Sequence, residues 1–416
     1  MKINNNSIKT LNSSTLLNYA YLTLLLTQGF LSYVLGFGGT YSAAMFLLGL
    51  SVFFALKSKH SYLSLMQTTP IVFWTLWVAY NFINWKLVGI VNVKGGTSQF
   101  VLSNFVYPIV TMSIVYYEGI INLKRTTLVV LVALAIYVFG GLLFQGLMGP
   151  VRQAWDGSER VGTILGNALP LAACIMTFFS IFASMKGWIS KKWLYILLVV
   201  SFASIIYVAT RKALVGWCIM VVMSLFSGFD LRRPSNFFKF LLLTGVFLLA
   251  YNYVMEDTYL GERLINIEEQ GKNNNVSGVK ALNIFGDRAT QYFLAWNLFL
   301  EHPFMGIGLR NFSVKADYPF VLHTEYMVQL CECGIVGASL YLLFMAGIIS
   351  RIIRIYKHHA RLFFVCMGGI LCVLFVNFTA WTYNINTYFA MYGLILAICY
   401  HETKYDKQTR KKHKYI

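Results

Sequence analysis

The chain has 416 residues, 57% of them hydrophobic and only 12% charged, with a formal net charge of +18. That balance excludes a soluble globular domain, in which about 25% of residues are charged, and fits a protein built into a bilayer. The positive charge needs no nucleic acid to explain it, because membrane proteins collect basic residues on one side of the membrane.

A helix crosses the hydrocarbon with about 20 apolar residues. Twelve runs come near that length and predict an all-α, polytopic protein: 15 to 34, 38 to 56, 70 to 89, 99 to 117, 126 to 148, 162 to 185, 193 to 210, 212 to 229, 237 to 254, 326 to 350, 362 to 378 and 385 to 400. Residues 1–416 read as one membrane domain, with a long outer loop at 255–325 and a basic tail at 401–416. The first run lacks a small-residue cleavage pattern and reads as a retained helix. With both termini cytoplasmic, most of the 34 basic residues fall inside and most of the 16 acids outside. The last inner loop and the tail then suit anionic inner-leaflet lipid. The seven cysteines are scattered and odd in number, so no disulfide framework is expected.

In chain order, the first four runs carry few ionisable groups; Lys86 snorkels outward, and Trp74, Trp77, Tyr80 and Trp85 sit near run ends as interfacial anchors. Segment 149–161, GPVRQAWDGSERV, is the first outer polar stretch, and Arg152 and Arg160 there either line a site or belong to a solvated loop. Run seven ends at Thr210-Arg211-Lys212, and the chain turns straight back. A charge at bilayer depth costs about 3 kcal/mol or more, so this pair needs water, lipid phosphate or an anionic ligand.

Residues 270–278, QGKNNNVSG, read as a lid or a plain linker within the long loop. Asp287 then caps a helix whose first residue is Arg288, with Tyr292, Ala295, Trp296 and Phe299 at helical spacing, and His302-Pro303 ends it. Gly306 and Gly308 loosen the turn before Arg310. After His323 a new helix begins, on which Glu325, Gln329 and Glu332 stand at i, i+4 and i+7 and are expected to share one face, a polar stripe entering lipid depth.

The sequence contains no metal-ligand spacing, phosphate loop or nucleotide fingerprint, so no cofactor or metal is expected. The outer face offers four fixed cations, Arg211, Lys212, Arg288 and Arg310, together with His323 and Glu325. Guanidinium forks match phosphate oxygens, and an imidazole near its ordinary pKa takes a proton from a hydroxyl. That pairing suits group transfer from a phosphate-activated lipid to an alcohol.

Three pieces occur in order: Arg211 at the turn after run seven, a helix from Arg288 ending His-Pro-x-x-Gly-x-Gly at Gly308, and His-x-Glu-Tyr-x-x-x-x-x-Glu-x-Gly-x-x-Gly from His323 to Gly337. Together they resemble the O-antigen ligase/polymerase superfamily of bacterial polysaccharide assembly, over about residues 160 to 400. Gly162 to Asn167 with Pro170, and Asn377, also look like that family's pattern. The resemblance implies a metal-independent glycosyltransferase of the bacterial plasma membrane, its site facing the periplasm or exterior. It would take a glycan from undecaprenyl pyrophosphate and pass it to another lipid-linked repeat unit (polymerase) or to lipid A-core (ligase), with a flippase and a chain-length regulator as further partners.

By position, Arg211 and Arg288 would bind the pyrophosphate, with Lys212 and Arg310 as further cations. His323 would orient or deprotonate the acceptor hydroxyl. Glu325 would assist it or hold sugar hydroxyls, with Arg160 and Glu332 in support. Lys212 stands where many relatives carry a small residue, which leaves open which cation meets phosphate. A polymerase is favoured by the larger number of polymerases in the superfamily. A glycolipid transporter, the reading from another class, is disfavoured because ionisable groups gather at the outer edge rather than the midplane.

Overall fold

In lipid, every backbone polar group needs an internal partner, so long apolar runs fold as helices packed on helices. The computed structural model describes residues 13–28, 30–31, 46, 68–89, 100–146, 151–153, 159–161, 168–208, 210–226, 287–318 and 321–413. The first helices are α1 (Ser13–Leu26) and α2 (Thr69–Val88). A π-helical turn (Leu102–Val106) then runs into α3 (Tyr107–Ile121). Asn122 caps α4 (Leu123–Gly141), its side chain accepting the Arg125 N–H at 3.0 Å. Next come α5 (Ala168–Met185), α6 (Lys191–Tyr207) and α7 (Arg211–Phe226). They are followed by α8 (Asp287–Glu301), the short α9 (Phe312–Lys315) and α10 (Glu325–Met327). Last are α11 (Gly334–Tyr356), α12 (Ala360–Val376) and α13 (Asn386–His413).

Ten of the twelve expected runs coincide with helices, while nearly all of 38–56, all of 237–254 and the loop residues 255–286 lie outside the described residues. Among the described residues, three helices are long and apolar enough to cross a membrane: Leu123–Phe144, Ala168–Met185 and Gly334–Tyr356; Ala360–Val376 is apolar but shorter.

The described residues are helical as expected, apart from a small antiparallel ribbon in which Val151–Gln153 (β1) pairs with Glu159–Val161 (β2) and sets Arg152 opposite Arg160. One expectation is corrected. The helix expected from residue 326 instead begins at Gly334. Before it, α10 passes into a π turn (Val328–Glu332), and Gly334 at φ 65° redirects the chain.

Small residues let membrane helices approach closely. Gly216 of α7 faces Cys372 and Val376 of α12, and Gly368 faces Met220 and Met223, so these two helices run antiparallel. In the same way Gly337 meets Tyr80 and Gly347 meets Pro70, which sets α11 antiparallel to α2. These pairings sort the bundle into two ends. At one, Glu402 joins Lys186 at 3.3 Å and His359 at 2.8 Å. At the other lie the starts of α7, α11 and α13 and the ends of α2 and α12, and with them Arg211, Arg310, His323, Glu325 and Glu332. Between the ends, Trp74 and Trp77 stack at 4.5 Å, with Phe344 and Phe389 within 5 Å of Trp74.

Gly393 of α13 packs against α3, where an added Cβ would stand 2.5 Å from the Met112 carbonyl oxygen. Backbone cannot yield there as a flexible side chain can. Gly393→Ala is therefore expected to destabilise the protein by about 1–3 kcal/mol; thermal unfolding of the detergent-purified protein, compared with wild type, measures it.

Candidate functional site

The π turn separates two carboxylates that a regular helix would have set on one face. Glu325 and Gln329 remain neighbours: Gln329 Nε2 donates to Glu325 Oε1 at 2.7 Å, and Gln329 Oε1 accepts from Trp77 Nε1 at 2.7 Å. Glu325 Oε2 turns to the loop after α12 and accepts the N–H groups of Thr382 (2.5 Å) and Tyr383 (3.2 Å). Glu332 points elsewhere, accepting the N–H groups of Arg310 (2.9 Å) and Phe312 (3.3 Å). The expected stripe into lipid is thus replaced by two clasps on two different loops. Both carboxyls are buried and lie ahead of α11, which is long and apolar enough to cross a membrane, and burial pushes each up to about 7.

The loop after α8 locks into the same turn. Ile307 N–H donates to Cys331 O at 3.0 Å and Gly308 N–H to Glu332 O at 2.9 Å, while Ile335 N–H returns to Pro303 O at 2.8 Å. Gly306 sits at φ 70°, and a Cβ there would lie 2.5 Å from Glu332 O, so the His-Pro-x-x-Gly-x-Gly spacing is a requirement of backbone contact. Asn311 Nδ2 ties the loop to the end of α2 through Gly89 O at 2.9 Å. Between these anchors Arg310 is held at φ 67°, a left-handed conformation rare outside glycine, a strain that the Glu332 clasp on its N–H helps to hold.

The second loop, residues 377–385, is organised by Asn377. Its carbonyl accepts from Glu325 N–H (2.8 Å) and Thr324 Oγ1 (3.0 Å), its Nδ2 donates to Tyr341 Oη (2.6 Å), and its Oδ1 accepts from Thr382 Oγ1 (2.7 Å). This frame presents Trp381. The Arg310 guanidinium lies 4.5 Å from the Trp381 ring centre and 5.9 Å from that of Tyr383, and the His323 imidazole stacks on Trp381 at 5.6 Å with an 8° interplanar angle. An imidazole and a guanidinium from separate loops therefore meet on one indole. The sequence singles out His323 and Arg310, whereas nothing local marks Trp381, whose role follows from what the two loops bring to it.

Arg211 opens α7, half-buried along with Lys212. Because α7 runs antiparallel to α12, with Gly216 beside Val376, Arg211 falls at the end of the bundle that carries Asn377 and Trp381. Arg288 lies in the first turn of α8, one turn before Tyr292, whose hydroxyl donates to Phe378 O at 3.1 Å. The start of α8 is thereby tied to the same loop. Arg160 belongs to β2. Among the described residues, no three His, Cys, Asp or Glu side chains converge as a metal site.

No curated protein matches this chain. Residues 196–342, from α6 into α11, match the family model described as O-antigen ligase. That segment contains Arg211, Lys212, Arg288, Arg310, His323, Glu325 and Glu332, while Arg160 and Trp381 lie outside it. The match covers those residues alone and supports the resemblance to the O-antigen ligase/polymerase superfamily.

Proposed function

We propose that this protein is a polysaccharide polymerase of the plasma membrane that moves a glycan from undecaprenyl pyrophosphate to a hydroxyl of another lipid-linked repeat unit. The reaction breaks the bond between the anomeric carbon and the pyrophosphate oxygen and forms a glycosidic bond to the acceptor oxygen. The acceptor proton passes to His323, and the diphosphate leaves with the carrier lipid. Arg211, Arg288 and Arg310 neutralise the charge that grows on the leaving group. Positive-inside sorting assigns the Lys186 and His359 end to the cytoplasm, along with both termini, and the Trp381 end to the outer face. The reading is carried chiefly by the meeting of Arg310 and His323 on Trp381, at the end of the bundle where α7, headed by Arg211, and α8, with Arg288 in its first turn, begin. The family description equally accommodates a ligase that uses lipid A-core as acceptor, and that enzyme would use the same residues.

In this scheme Glu325 and Trp381 are positioning residues. Glu325, with both carboxylate oxygens taken up by Thr382, Tyr383 and Gln329, holds the 377–385 loop, and Trp381 holds the imidazole and guanidinium at a set separation.

His323→Ala and Arg288→Ala are expected to insert and fold normally yet lower glycan transfer by about 100-fold or more. Wild-type amounts of long-chain polysaccharide in both would reject the site. In cells lacking the protein, a gel showing single repeats on the final anchor marks a lost polymerase, and long chains stranded on the carrier lipid mark a lost ligase.

Trp381→Leu removes a contact worth about 0.5–2 kcal/mol and is expected to slow transfer by a few-fold to about 30-fold. Trp381→Phe, which keeps a ring in place, should retain most of the rate in the same assay.

The raised carboxyls also give a signed pH dependence. The folded state holds protons on Glu325 and Glu332 up to about 7, whereas the unfolded chain releases them near 4.5. Their contribution to stability is therefore greatest below about 4.5 and falls as pH rises to about 7, by on the order of 3 kcal/mol for each group. Thermal unfolding between pH 5 and 8 reads this slope, and Glu325→Gln should reduce it by about half.

A further inference from the structure

We infer that α8 is bedded in the outer leaflet of the membrane, its outward side in contact with lipid hydrocarbon rather than with water. On sequence grounds it belongs to a long outer loop, which would make it a water-facing helix. Its surface contradicts that. Between Ala289 and Leu300 the helix carries no charged residue. Gln291, Ala295 and Phe299 form its buried side, whereas Phe293 is 65% exposed, Trp296 47% and Leu300 59%. At 100° per residue these three fall within about 60° of one another, so they make one apolar strip.

The strip does not stop at the helix end. Phe304, 71% exposed, follows it, and Phe304 and Pro303 accept backbone bonds from Val336 and Ile335, the exposed apolar residues at the start of α11. Ile335 and Val336 lie two turns above the exposed Leu342 and Leu343 on the same flank of that membrane-crossing helix. The outward side of α8 is thus continuous with a surface that hydrocarbon must cover. An apolar strip of this length facing water would be an aggregation liability, while aromatic and aliphatic side chains at a membrane boundary are ordinary anchors.

The test uses the full-length protein in nanodiscs of phosphatidylethanolamine and phosphatidylglycerol, with nitroxide labels at Phe293→Cys and Leu300→Cys and at Lys315→Cys, an exposed control. Six native cysteines are buried and Cys218 is half-buried, so labelling of the unsubstituted protein supplies the background. Collisions with oxygen, which concentrates in hydrocarbon, should exceed those with a water-soluble nickel chelate at 293 and 300, with the reverse order at 315. Nickel prevailing at 293 and 300 would overturn the inference. So would exclusion of both reagents there, which would mean that protein covers the strip. Because the measurement involves no glycan transfer, it succeeds or fails separately from the proposed activity.

Discussion

A carboxylate taken out of water costs several kcal/mol unless nearby N–H groups share its charge. Glu325 and Glu332, buried seven positions apart, are two such groups, and they turn in different directions, Glu325 onto the N–H groups of Thr382 and Tyr383, Glu332 onto those of Arg310 and Phe312. The divergence exists because Val328–Glu332 winds as a π turn instead of a regular helix. Each carboxyl gathers a loop whose own backbone donors would otherwise be stranded in an apolar setting. The two loops deliver Arg310 and Trp381 to each other, so the contact at the centre of the candidate site follows from a change of helical pitch some distance away in sequence.

The same turn explains why the surrounding glycines and asparagines are placed where they are. The 302–308 segment can run alongside Cys331–Ile335 only if Gly306 and Gly334 accept left-handed angles with no Cβ in the way. Asn377 then joins Thr324, Glu325, Tyr341 and Thr382 in one network, so moving any member costs the others their partners. Beneath it, the Gln329 bond to Trp77 couples the turn to the stacked tryptophans of α2.

Much of the fold is legible from hydropathy alone. Apolar runs of sufficient length must become helices in lipid, and the pieces at Arg211, at Arg288 to Gly308 and at His323 to Gly337 mark the segment that matches the family. The π turn is not legible, because Glu325, Gln329 and Glu332 satisfy a 3.6-residue period equally well and pitch has no signature in residue type. Trp381 is hidden for a different reason: its importance lies in which side chains two other loops bring to it. The Arg152 and Arg160 ribbon is too short for its alternation to stand out. The lipid-facing side of α8 was within reach, since a run from Ala289 to Leu300 with no charge is unusual for a loop, but its aromatic spacing alone fits a buried face just as well.

A last consideration concerns where the cations stand. The start of a helix carries a partial positive charge, so a basic side chain there opposes the dipole by about 0.3–1 kcal/mol, and sequences ordinarily place acids in that turn. Here α7 opens on Arg211 and Lys212, and α8 carries Arg288 as its second residue, after Asp287. Arg310 adds a third guanidinium, on a backbone angle that itself costs energy. Guanidinium groups cannot shed this repulsion by losing a proton. Under the proposed function, a lipid diphosphate held among these side chains would offset the charge repulsion, though not the backbone strain at Arg310.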